Sequence, residues 1–128
     1  MIPQEIFDKV SVHLLTQGKR ALGDDGQRCK YRAPDGSKCT VGILIPDDAY
    51  DPVMEGHPSS ALCMVAALPP FFTTEGDLLS DLQVLHDCVK PDMWPEYLHR
   101  MARHKGLSTT AMDEYLKTTK SPAPEVAA

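Results

Sequence analysis

CKYRAPDGSKC, residues 29–39, sets two cysteines and four charged side chains around a Pro-Asp-Gly turn. Ala33-Pro34-Asp35-Gly36 has the chemistry of a reversing turn, since proline presets φ at the second turn position and Gly36 tolerates the left-handed region. A turn centred there pairs Ala33 with Ser37, Arg32 with Lys38, Tyr31 with Cys39 and Cys29 with Val41. Side chains alternate across a strand, so this register sorts Cys29, Tyr31, Cys39 and Val41 onto an apolar face. Lys30, Arg32, Lys38 and Thr40 fall on the opposite, basic face. The expectation is a β-hairpin near residues 28–41, with Cys29 and Cys39 as reduced, buried diagonal neighbours.

Toward the N-terminus, residues 4–17 place Ile6, Phe7, Val10 and Leu14 on one arc, with Gly18 as a stop, which predicts an amphipathic helix. Val12 and Leu15 lie outside that arc and are candidates for an apolar contact with a partner or a second copy. Toward the C-terminus, PDDAYDPVMEG reads as a helical turn with Asp47 as N-cap, and SSALCMVAALPP as a short buried helix enclosing Cys63. Thr74-Glu75-Gly76-Asp77 has the form of a capping box before a helix whose arc carries Leu78, Leu82, Leu85 and Val89. Residues 91–107 give a further helix with Pro95 in its first turn, Trp94, Tyr97, Leu98 and Met101 on one face, and Gly106 as stop. Ser108 then caps a last helix, with Leu107 and Met112 at the spacing of a hydrophobic staple. The expected fold class is α+β, mostly helical with about five helices and one β-hairpin, as a single compact domain over residues 1–118. Residues 119–128, with two prolines and little to bury, are expected to form a flexible tail.

Composition narrows the function classes. Thirteen Lys and Arg against eighteen Asp and Glu leave a formal charge of -5, so any nucleic-acid site must be a local patch. Aromatic residues make up 6%, too few for a surface of base-stacking platforms. The N-terminal MIPQEIFDKV has no basic leader followed by an apolar stretch, and no run approaches a membrane span. The expected location is the cytoplasm, with no membrane partner. Thiols stay reduced there, so the four cysteines do not imply a disulfide framework.

Zinc is one use for those cysteines, but nine residues separate Cys29 from Cys39, far from the paired short spacings of a structural site. Cys29, Cys39 and His86 are the weak ligand candidates, and the expectation is no cofactor, with zinc as the alternative. His86 lies within the apolar arc of its helix and reads as a satisfied core histidine. A Cys-His-Asp hydrolase assembles on paper from Cys29 or Cys39 with His86 and Asp87, but no nucleophile elbow, phosphate loop or zinc-protease motif accompanies it. The basic run HRMARHK, residues 99–105, puts Arg100 and Arg103 on the solvent side of their helix, where cations also suit a helix C-terminus.

The core motif C-x-YR-x-x-DG-x-KC-x-VG-x-LIPD is carried here by Cys29, Tyr31, Arg32, Asp35, Gly36, Lys38, Cys39, Val41, Gly42, Leu44, Ile45, Pro46 and Asp47. With LLSDLQVLHD and Trp94, it resembles small accessory proteins encoded by tailed bacteriophages and prophages, over roughly residues 4–107. The resemblance brings no functional residues with it. It implies a setting, the bacterial host cytoplasm, where such proteins often act by occupying a host protein in anti-defence or host takeover. The expected function is therefore a non-enzymatic protein that binds and inhibits a host macromolecule, through Val12, Leu15, Lys30, Arg32, Lys38, Arg100 and Arg103. The alternatives are a nucleic-acid-binding regulator using the basic helix face, a small Cys-dependent enzyme, and a homodimer formed through the apolar surplus.

Overall fold

In a computed structural model, which describes residues 1–26 and 29–120, the chain folds as an all-helical protein. Helix α1 spans Pro3–Gln17, α2 Phe71–Thr74, α3 Gly76–Cys88, α4 Trp94–Lys105 and α5 Thr110–Lys120. Short 3₁₀ turns at Gly42–Leu44, Pro52–Met54, Ser59–Met64 and Pro91–Met93 complete the regular structure among the described residues. None of these helices is long and apolar enough to cross a membrane.

Local chemistry sets the ends of the long helices. Pro3 opens α1 where a missing N–H costs no hydrogen bond, and Gly18 closes it at φ 69°, donating to the Leu14 carbonyl at 2.8 Å. Gly106 closes α4 in the same way at φ 71°. The Ser108 hydroxyl accepts the Thr110 N–H at 3.1 Å at the start of α5. Helix α1 buries Ile6, Phe7, Val10 and Leu14, α3 buries Leu78, Leu79, Leu82, Leu85 and His86, and α4 buries Trp94, Leu98 and Ala102. Each large apolar side chain taken from water contributes about 1.5–3 kcal/mol, so packing between helices carries more of the fold than any single polar contact. Helix α1 lies against α4 and α5, and Gln4 grips the main chain of Ser108 from both sides, at 2.9 and 2.8 Å. The far side of α3 rests on the 59–64 turn.

The expected α+β class is overturned: no sheet forms among the described residues, and β-pairing is confined to the isolated bridges Leu22–Cys29 and Arg32–Lys38. Ala33–Gly36 does turn, with the Gly36 N–H on the Ala33 carbonyl at 3.0 Å and Gly36 at φ 91°. The ladder begins, with the Ala33 N–H on the Ser37 carbonyl at 2.9 Å and the Cys39 N–H on the Tyr31 carbonyl at 3.2 Å, and goes no further because the reciprocal groups are bonded elsewhere. Glu55 accepts the Tyr31 and Arg32 N–H groups at 2.9 and 3.1 Å. Asp35 takes the Ser37 N–H at 2.9 Å, and the Cys39 carbonyl accepts from Ile43 at 3.1 Å as the chain coils into the Gly42–Leu44 turn. Gln17 grips the Lys38 main chain at both its N–H and its carbonyl, at 2.8 and 2.9 Å, and His13 shares that carbonyl at 2.8 Å. Cys29 therefore pairs with Leu22 rather than Val41, and only Cys39 of the two cysteines is fully buried.

Three smaller expectations also fail. The 59–64 segment is a 3₁₀ turn in which residues three apart align, so Leu62 faces the core while Cys63 and Met64 are exposed. Thr74 closes α2 instead of capping α3, and its hydroxyl donates to the Pro70 carbonyl at 3.4 Å. Asp47 caps nothing, because it pairs with Arg32 at 2.8 Å, and Asp51 takes the capping role at Pro52–Met54, accepting the Val53 N–H at 2.9 Å. Helix α5 runs to Lys120, two residues beyond the expected domain end, and the remainder of the expected tail, 121–128, lies outside the described residues.

Candidate functional site

Helix α3 positions two depressions, one on each side of Val84, which is 57% exposed and lines both. On one side Ser80, Gln83 and Asp87 face Cys29, Lys30 and the 55–59 loop across a cleft of about 260 Å³. On the other side α3 and α4 diverge to leave a groove of about 550 Å³.

The cleft holds the side chains with the richest chemistry. Ligating atoms of Cys29, His86 and Asp87 lie within 4.8 Å of one another. His86 is fully buried, stacks on Trp94, and has its carbonyl bound by the Arg20 guanidinium at 3.0 Å. The Ala21 N–H donates to its Nε2 at 3.1 Å, which puts the ring proton on Nδ1, and Nδ1–H donates to Asp87 Oδ1 at 2.7 Å. The same Oδ1 accepts from Gln83 Nε2 at 2.8 Å. Burial alone raises the Asp87 carboxyl, but the hydrogen bonds and charge of its neighbours, His86 first, outweigh this and hold it below its ordinary value.

This wiring runs against nucleophilic catalysis. A reactive cysteine needs its thiolate beside a cation or a helix N-terminus, whereas the Cys29 thiol lies beside the Asp87 carboxylate. Burial first, and then the Asp87 charge and hydrogen bond, push the thiol up to about 11. A metal fares no better, since coordination through Nδ1 requires a proton on Nε2, where the Ala21 N–H already points. Cys39 stands apart from the cluster, fully buried, with its sulfur accepting the Gly42 N–H at 3.2 Å. Burial pushes its thiol up to about 12.

The expected interaction residues do not form one surface. Arg32 and Lys38 converge on Asp47, at 2.8 and 4.0 Å, and Arg32 also stacks over Tyr50 at 4.7 Å. Lys30 lines the cleft, and Leu15 packs against the core from α1, where Val12 is partly exposed. Arg100 lies over Tyr97 and pairs with Glu96 at 2.5 Å, while Arg103 is exposed in the last turn of α4.

The groove contains what pattern reading did not single out. Its apolar surface comes from Val84, Leu85 and Val89 of the α3 end and from Tyr97 and Met101 of α4. Arg100, His104 and Lys105 form a basic edge, with Lys105 paired to Asp81 at 2.6 Å. The available signal was the width of the apolar arcs: Leu85, Val89, Tyr97 and Met101 already belong to faces read as buried, and Val84 flanks its line without being counted in it. Comparison of the chain with protein families, with curated proteins and with solved structures found no match.

Proposed function

We propose that the protein acts by binding, occupying a host macromolecule through the outer face of the α3–α4 pair and blocking it, as a phage accessory protein in the bacterial cytoplasm. One observation carries this reading: a solvent-open groove with an apolar floor, bordered by the exposed side chains Val84 and Tyr97, at 57% and 37%. The cleft chemistry supports it indirectly, because burial first, and then the neighbouring Asp87 carboxylate, hold the best nucleophile candidate as a thiol. The alternative nucleic-acid reading has to work against a formal charge of -5, which repels a phosphate backbone overall.

The test is affinity capture from nuclease-treated bacterial lysate with wild-type protein, Val84→Asp, Met101→Glu and Lys30→Ala. The expected result is a single protein held by wild type and Lys30→Ala and lost from both groove variants, of which Val84→Asp, on an exposed side chain, leaves thermal unfolding unchanged. Capture indifferent to the groove variants overturns the reading. So does substrate turnover that disappears in Cys29→Ser.

A further inference from the structure

We infer that the occupant of the α3–α4 groove is an amphipathic helix whose polar face is acidic, an inference that rests on the groove being the working surface. The shape comes from two helical stripes lying side by side. Helix α3 and the residue after its cap contribute Asp81, Val84, Leu85 and Val89, and α4 contributes Tyr97, Arg100, Met101 and His104. Both sets recur at three- and four-residue spacings, the pattern of a helix side that packs against another helix. The two helices run in opposite directions, since Lys105 at the end of α4 pairs with Asp81 in the first half of α3, while Trp94 at its start bonds to the Val89 carbonyl. A third helix laid along the trough completes a three-helix layer, with its own apolar residues at the same spacing seated on Leu85, Val89 and Met101.

Charge selects the polar face of that helix. Among the charged residues on the groove, Arg100 and Lys105 stand against Asp81, a balance of 2 − 1 = +1 with His104 neutral, on a chain whose total is -5. Arg103, His104 and Lys105 make the last turn of α4 basic. The two ion pairs that hold the rim cations are exposed, with side chains 61% and 51% accessible for Arg100–Glu96 and 25% and 54% for Lys105–Asp81. Exposed pairs are weak, so a partner carboxylate arriving with an apolar face that excludes water competes for the same cations. A basic helix would instead meet Arg100, Arg103 and Lys105 at close range.

The test uses two fluorescein-labelled helical probes of about 18 residues, long enough to span the groove. They share leucines at helical spacing and differ in carrying Glu or Lys at the remaining positions. With the full chain at low salt, the Glu probe is expected to bind at least about tenfold tighter than the Lys probe. It should lose about tenfold on Met101→Glu, and the preference should reverse in the double variant Arg100→Glu, Lys105→Glu. Equal binding of the two probes, a preference for Lys in the wild type, or a dimer that dissociates on Val84→Asp while neither probe binds overturns the inference. If neither probe binds yet lysate capture still depends on the groove, the acidic-helix inference fails and the binding reading stands. If capture ignores the groove as well, both fail.

Discussion

The 29–42 loop and the α3–α4 pair touch through Gln83, whose side-chain Oε1 accepts from the Thr40 hydroxyl at 2.9 Å and the Val41 N–H at 3.3 Å, yet the two regions use their side chains in opposite directions. At the loop, polar side chains are spent on main-chain groups: Glu55, Gln17 and His13 from outside it and Asp35 within it each serve one of its peptide N–H or carbonyl groups. In the helices the main chain satisfies itself, so side chains are released from that duty and can face outward. The comparison explains why the motif richest in distinctive residues supplies little free chemistry. It also explains why the surface open to a partner lies on helices of ordinary composition.

Glycine at position 42 gives the sharpest way to break that contrast. A Cβ built there lies 1.9 Å from the Tyr31 carbonyl oxygen, a main-chain atom that the rest of the loop holds in place. Gly42→Ala is expected to cost about 3 kcal/mol or more, at the upper end of over-packing penalties. Val84→Asp, on the exposed ridge of α3, is expected to change stability by less than about 0.5 kcal/mol. Urea unfolding of the two variants beside wild type checks both. If Gly42→Ala unfolds within about 1 kcal/mol of wild type, the loop yields easily and the contrast is lost.

A weaker effect, read as reactivity, sharpens the account of the cleft. Asp87→Asn removes the charge that opposes ionisation of Cys29 while leaving an amide oxygen to accept from His86 Nδ1. The thiol should then fall from about 11 toward its ordinary 9.0, without reaching it, because burial is the larger cause of the shift. In a Cys63→Ser, Cys88→Ser background, which removes the two exposed thiols, iodoacetamide labelling of Cys29 at pH 8.5 should accelerate several-fold on Asp87→Asn. Cys39, fully buried, serves as the internal reference and should not respond. An unchanged or slower Cys29 rate means that Asp87 does not hold the thiol proton.

These contrasts mark how far the fold and the site can be read from sequence. Helices α1 and α4 were legible because their signals are local: apolar residues at helical spacing, closed by Gly18 and Gly106. The turn at Ala33–Gly36 was legible for the same reason. The expected ladder stopped early because a competitor is remote in sequence, Glu55 lying 24 residues from the Tyr31 N–H it takes. Alternation along a strand carries no information about a carboxylate that arrives from elsewhere. At the site, Cys29, His86 and Asp87 were recognisable as a set, but whether the thiol meets the imidazole or the carboxylate is a matter of geometry. The groove escaped because Tyr97 and Met101 read as part of a buried face, and Val84 lies outside the arc of α3, so nothing local showed that the two helices leave these side chains open.

The smallest expected effect concerns His13, which joins α1 to the loop through the Lys38 carbonyl at 2.8 Å. Burial, the largest influence, lowers its pKa below 6.5; the hydrogen bond to Lys38 works the other way, and the positive charges of Lys38 and Lys9 add to the lowering. Between the folded value and 6.5 the unfolded chain therefore binds the extra proton more readily than the folded one. The contribution to stability is complete above pH 6.5 and is lost as pH falls through the folded value. His13→Gln retains an N–H donor for the Lys38 carbonyl and removes the titration, so its urea midpoint should change less than that of wild type between pH 7 and about 5. The depressed carboxyls of Asp87 and Asp113 titrate below their ordinary 3.8 and stay outside this window. Equal slopes in the two proteins would mean that the clamp of α1 on the loop is indifferent to the charge of the ring, and that the inward-bonded loop owes nothing to protonation.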